Sequence, residues 1–178
     1  MPAQTDPAAM LRAASQADIP AISRLATRAF VAKFGHLYQP EDLAAFLAES
    51  LSEPAIAAEL FNPARVYQLA EGPDGLLGYC KIGLTCGFPA HARGQKVMEL
   101  KQLYTAPDAT GQGIGAALMD WAMGQFAVRG ADEVQISVYA ENHGAHRFYA
   151  RYGFGKVADI TFRVGDHIDP EFLFARML

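Results

Sequence analysis

Leu103-Tyr104-Thr105-Ala106-Pro107-Asp108-Ala109-Thr110-Gly111-Gln112-Gly113-Ile114-Gly115 is the stretch whose reading decides the fold. A hydrophobic strand runs in, Pro107-Asp108 marks a turn, and three alternating glycines open a helix that continues Ala116-Ala117-Leu118-Met119. Glycine lacks a Cβ, so its backbone can adopt positive φ and be approached closely. The first amides of a helix have no intrahelical partner and lie at the positive end of the dipole. A phosphate-bearing ligand suits such a turn; an ordinary glycine-rich strand-to-helix connection is the competing reading.

The segments on either side build an alternating order. Downstream, Ile114, Ala117, Leu118, Trp121, Ala122, Gln125 and Phe126 follow helical spacing, and Gly130 is placed to end the helix. Glu133 to Tyr139 reads as a strand with Val134, Ile136 and Val138 on one face. Asn142 caps a further helix through Tyr152, Gly153 ends it, and two strands, Phe154 to Val164 and Phe172 to Leu178, flank a Gly165-Asp166 turn. Upstream, Met1 to Ala9 reads as a loose tail and Met10 to Ser15 as a short strand. Asp18 is expected to cap a helix whose buried face is Ile22, Leu25, Ala26, Ala29 and Phe30. Two more helices begin near Pro40 and after Ser52. A hairpin spans Val66 to Leu84 around Gly72-Pro73-Asp74-Gly75, a surface loop covers Cys86 to Lys96, and Val97 to Thr105 enters the glycine turn. The expected fold is α/β: a mixed sheet with helices on both faces, forming one domain over residues 10–178.

Composition limits the function. With 178 residues, 51% of them hydrophobic, the chain is long enough to bury a core. A net charge of −4 argues against a partner held through nucleic-acid phosphates. No apolar run approaches the roughly 20 residues of a membrane span, and no signal-like segment opens the chain, so a cytoplasmic protein is expected. Cys80 and Cys86 are the only cysteines and are expected to be reduced thiols; neither they nor the five histidines have metal-ligand spacing. No metal is expected.

Two familiar phosphate loops do not fit. Gly115 is followed by Ala116-Ala117 rather than Lys-Ser/Thr, and the glycines read G-x-G-x-G rather than G-x-G-x-x-G. The turn instead resembles the acyl-CoA signature Q/R-x-x-G-x-G/A of the GCN5-related N-acetyltransferases, with Thr110 at the Gln/Arg place and Gly113 and Gly115 at the glycine places. Ser137 to Phe154 resembles that family's second motif, N-x-x-A-x-x-F-Y-x-x-x-G-F, through Asn142, Ala145, Phe148, Tyr149, Gly153 and Phe154. Thr110 departs from the pattern and leaves more of the pyrophosphate holding to the amides.

The resemblance implies an acetyl-CoA-dependent N-acetyltransferase working by direct transfer to an amine. It places CoA against Leu103, Tyr104 and Thr105, against the turn Thr110, Gly111, Gln112, Gly113, Ile114, Gly115 and Ala116, and against Asn142. It places Tyr149 near the thioester sulfur, where a phenol can protonate the departing thiolate; an aromatic core pair, Phe148-Tyr149, is the bland alternative. A β-bulge in the strand before the turn would open the cleft. Glu99 stands where some members keep a catalytic base, against two alternatives: pairing with Lys96 or Lys101, or deprotonation through water. The run around His36, Tyr38, Glu41 and Asp42, with Phe162 to His167, resembles PaiA-type polyamine acetyltransferases and implies a spermidine- or spermine-like acceptor. For His36 and Tyr38 a helix-helix turn with partly buried rings remains open. The resemblance also implies a homodimer. A peptide or protein acetyltransferase and a non-catalytic acyl-CoA sensor are the alternative functions.

Overall fold

The computed structural model describes residues 9–178. Up to residue 8 the expected tail lies outside the described residues, while Ala9 already packs against the core. Seven strands form one sheet: β1 (Met10–Ala13), β2 (Arg65–Gly72), β3 (Gly75–Gly83), β4 (Val97–Thr105), β5 (Glu133–Tyr139), β6 (Gly155–Val164) and β7 (His167–Met177). Their spatial order is β1-β2-β3-β4-β5-β7-β6. Every neighbouring pair is antiparallel except β4 and β5.

Helices cover both faces. α1 (Ile19–Phe34), α2 (Pro40–Phe46) and α3 (Glu53–Leu60) lie on one; α4 (Ile114–Val128) and α5 (His143–Arg151) lie on the other. The alternation of strand side chains splits the interior accordingly. Val134, Ile136 and Val138 meet Leu118, Met119, Ala122 and Phe126 of α4, whereas Leu69 and Tyr79 meet Ile22, Leu25 and Phe30 of α1. Phe126 is fully buried, which stabilises the fold by about 1.5–3 kcal/mol. Close approach of β3 to β4 and α4 requires Gly78, since a Cβ there would lie 2.7 Å from the Tyr104 carbonyl of β4 and 3.0 Å from the Ile114 side chain of α4.

Two details differ from the sequence reading. Asp18 does not cap α1 through its side chain; it ends a short 3-10 turn and forms a capping box with Ser15. Its carboxylate takes the Arg12 guanidinium at 2.8 Å, which holds its pKa well below the ordinary carboxylate range. The last strand also begins at His167, five residues before the expected Phe172. Pro170, a poor strand residue, sits one position past the last rung with β5, where its carbonyl takes the Ala140 N–H at 3.0 Å.

Candidate active site

The site starts from a fault in the sheet. β4 and β5 pair over only Val97–Leu100 and Glu133–Ile136. On its other side β4 pairs Lys81 with Gln102 but Ile82 with Leu100, so Lys101 is an extra, bulged residue. Beyond it the two parallel strands separate. A cleft of about 1020 Å³ opens there, lined by Glu99 to Thr105 of β4 and by Ile136 to Tyr139 of β5.

At one end lies the glycine turn. Gly111 and Gly113 have φ of 76° and 80°, the left-handed region that favours glycine. Gly113 is the residue from which α4 springs, and the helix makes its first bond from the Ala117 N–H to the Gly113 carbonyl at 3.0 Å. Among the described residues none accepts from the backbone N–H groups of Gly111 to Ala116. A Cβ built on Gly111 or Gly113 meets nothing within 4 Å, so the space above these amides is open. Thr110 turns its hydroxyl to the Pro107 carbonyl at 3.4 Å and Gln112 its amide to the Asp108 carbonyl at 3.4 Å, leaving the amides as the donors. Such a turn fits a pyrophosphate.

Tyr149 of α5 lines the middle of the cleft. Burial holds the pKa of its phenol above the ordinary 10, so the group stays protonated, and its hydroxyl has no hydrogen-bond partner among the described residues. Its ring packs on Phe148 at 5.2 Å. The cleft position and the aromatic packing of Tyr149 therefore coincide. Asn142 lines the same wall and caps α5, accepting the Ala145 N–H at 3.2 Å.

Phe30, Phe34, Phe46, Phe162 and Tyr139 wall the cleft on the α1 side, and Glu171 of β7 enters among them. Burial and the neighbouring Asp169 push the pKa of Glu171 up to about 7, although the Ser137 hydroxyl donates to its Oε2 and opposes the rise. Asp169 is buried, accepts from the Tyr38 hydroxyl and contacts the His167 Nε2 at 3.0 Å. Glu99 also reaches the cleft, but Lys101 holds its Oε2 at 3.0 Å, one of the two pairings expected for it. The 86–96 loop closes behind: a Cβ on Gly87 would lie 2.1 Å from that oxygen. Gln135, fully buried, pins this loop by exchanging bonds with the Phe88 N–H and carbonyl at 3.2 and 3.1 Å.

Of the four residues expected to meet the acceptor, the fold brings only Tyr38 to the edge of the site, beside Phe30, Phe34, Tyr139 and Glu171. His36 and Glu41 are exposed and line neither the cleft nor this annex. Asp42 is corrected to a structural role: its Oδ1 accepts the Asp166 N–H at 2.7 Å and fixes the β6–β7 turn, where Gly165 has φ of 58°. Cys80 is buried in the core, its thiol pKa raised by burial, and the Cys86 thiol donates to the side-chain amide oxygen Oε1 of Gln135 at 3.3 Å. The sequence reading missed Glu171 and Asp169. The signal was present in the alternation Ile168-Asp169-Pro170-Glu171-Phe172, which Pro170 disguised as turn.

The Acetyltransferase (GNAT) family model matches residues 20–154. The chain belongs to this family. An uncharacterized N-acetyltransferase of Mycobacterium tuberculosis is 31% identical over 162 residues, covering 90% of this chain and 98% of its own. The aminoalkylphosphonate N-acetyltransferase of Salmonella typhimurium is 33% identical over 98 residues, 55% of this chain and 62% of its own. Among solved structures, the PaiA N-acetyltransferase of Thermoplasma acidophilum in complex with coenzyme A shares the fold with a TM-score of 0.77 at 19% identity. That match covers 95% of this chain and 98% of the other. This GNAT chain is thus an acetyl-CoA-dependent N-acetyltransferase. Among the described residues there is no cluster able to hold a metal ion and no helix long and apolar enough to cross a membrane.

Proposed function

We propose that the chain moves the acetyl group of acetyl-CoA directly onto a primary amine in the cleft between β4 and β5. One observation carries this reading: the cleft lined by Tyr149 runs to Thr110, where the glycine turn begins and the amides of Gly111 to Ala116 have no acceptor among the described residues. The pyrophosphate sits on the amides of Gly111 to Ala116. The pantetheine arm follows the open edge of β4 through the main chain of Leu103 and Thr105. The amine enters from the phenylalanine-walled side and attacks the thioester carbonyl; as the carbon–sulfur bond breaks, Tyr149 gives its proton to the sulfur. A buried thiol behind the core and a second engaged with Gln135 offer no nucleophile for a covalent acyl-enzyme.

For the acceptor we propose a polyamine of the spermidine or spermine kind. Glu171 inside the cleft and Glu49 at its mouth, which also pairs Arg163 at 3.4 Å, supply spaced negative charge. Phe30, Phe34, Phe46 and Phe162 suit the methylene segments and can face ammonium groups. A second reading, a monoamine on an aromatic body, is favoured by the fact that Glu171 alone of the two carboxylates among these rings is open to the main cleft, Asp169 being engaged by Tyr38 and His167. The test is thiol release from acetyl-CoA with spermidine, benzylamine and a short peptide as acceptors at two ionic strengths. Spermidine should show the highest specificity constant and lose the most as salt rises, because exposed charge pairs are screened. Parity of benzylamine or the peptide with spermidine refutes the polyamine assignment, and no acyl transfer to any amine refutes the enzyme reading.

A further inference from the structure

We propose that Glu171 is the base that takes the acceptor's ammonium proton, an inference that rests on the acetyl-transfer reading above. Four carboxylates line the cleft; Glu49 pairs Arg163 and Glu59 pairs Arg65 and Lys81, which leaves Glu99 and Glu171, and their surroundings separate these two. Glu99 has one oxygen bound to Lys101 and backed by Gly87, a carboxylate already given a structural partner. Glu171 has its Oε2 fixed by the Ser137 hydroxyl, while its Oε1 has no partner among the described residues. That serine aims the group, since Ser137 of β5 and Glu171 of β7 are diagonal neighbours on one sheet face. Phe30, Phe34, Phe162 and Tyr139 keep the surroundings apolar.

The groups facing Glu171 set its proton affinity. From β7 these are Asp169, with His167 behind it; from β5, Tyr139; from β4, Tyr104; and from the turn after α1, Tyr38. Lys33 of α1 also lines the cleft, whereas Lys81 and Lys101 are taken by Glu59 and Glu99. The raised pKa of Glu171 near 7 matches a base that is ionised at neutral pH and still able to hold a proton.

In the balanced step the ammonium gives one proton to Glu171, which releases it to solvent. The freed nitrogen lone pair forms the carbon–nitrogen bond, the carbon–sulfur pair departs on sulfur, and Tyr149 protonates that sulfur. The second nitrogen proton replaces the one Tyr149 gave. Ammonium and thioester become amide, thiol and one free proton.

The experiment measures kcat/KM for spermidine and for benzylamine from about pH 5 to about pH 9 in wild type, Glu171→Gln, Glu171→Asp and Glu99→Gln. Wild type should gain activity as the pH rises through about 7. Glu171→Gln should lose roughly 10²-fold and lack that limb, while Glu171→Asp should recover part of the rate with the limb present. Unchanged CoA affinity by calorimetry shows that the variants fold. Glu171→Gln with near-normal rate and an intact limb overturns the inference while acetyl transfer itself stands, as does loss of the limb in Glu99→Gln. Wild type that acetylates neither amine overturns the enzyme reading and this inference together.

Discussion

Replacing Gly113 with Ala separates the two things that residue does. Its φ of 80° lies where an L side chain costs about 1–2 kcal/mol, yet a Cβ there meets no atom within 4 Å. The damage is therefore conformational, with no clash to add to it. Either the strained turn persists and stability falls by that amount, or φ relaxes and the amides of Ile114 and Gly115 swing off their ligand. Losing one charge-assisted hydrogen bond to a phosphate is about 1.5–3 kcal/mol, roughly 10- to 150-fold in the CoA dissociation constant. Gly124→Ala is the control: the same change in the same helix, also with nothing within 4 Å, but in its interior and without positive φ. There Ala should stabilise by about 0.8–1 kcal/mol, and for a domain of this size each kcal/mol moves Tm by about 2–4 °C. Calorimetric titration with CoA and thermal unfolding read both effects. A folded Gly113→Ala protein that binds CoA as tightly as wild type would refute amide capture of the pyrophosphate.

Further expectations follow from the same geometry. Tyr149→Phe keeps the ring that packs on Phe148 and removes the cleft hydroxyl, so turnover should fall roughly 10²-fold with CoA affinity and Tm nearly unchanged in parallel assays. Glu171 has a folded pKa near 7 against an ordinary 4.5, so its contribution to stability is full below about 4.5 and fades as pH rises through 7. Glu171→Gln should thus gain on wild type by up to roughly 3 kcal/mol between those limits in denaturant titrations; a constant difference across pH would contradict the burial argument. Asp169→Asn removes a negative neighbour and should move the activity limb toward acid, which a pH–rate profile would detect. Gln135→Leu strands the Phe88 N–H and carbonyl, so limited proteolysis should find the 86–96 loop cleaved faster than in wild type.

The elements were legible where a local rule and the tertiary packing agree. Val97 to Thr105 was bounded correctly because apolar density and a glycine turn mark its ends, and α5 because Asn142 and Gly153 supply a cap and a left-handed exit. Asp18 misled because its carboxylate has a stronger partner, Arg12, held near by β1 and invisible to a helix rule. The open glycine turn and the cleft position of Tyr149 were legible because both lie in short contiguous motifs. The acceptor side could not: Phe30, Tyr139, Phe162 and Glu171 come from four separate elements, and only sheet register brings them together. Glu41 and Asp42 were suggested by their place in the run that resembles PaiA-type enzymes, yet α2 turns one outward and gives the other to the β6–β7 turn.

The extra residue at Lys101 also acts as a phase shifter. Before it, the even-numbered Met98 and Leu100 face α4 and α5; after it, the odd-numbered Leu103 takes that side. Gln102 and Tyr104 consequently turn toward α1, where Gln102 accepts the Tyr79 hydroxyl at 2.8 Å. Were Lys101 an ordinary paired rung, strict alternation would exchange the faces of all four downstream residues, sending Tyr104 into the α4 layer and Leu103 toward α1; deleting Lys101 would instead keep those faces and remove only the bulge. The change of parity is already written in the spacing of Met98, Leu100 and Leu103, so related chains of differing sequence can be searched for an open cleft by a break in rhythm, without matching a single motif residue.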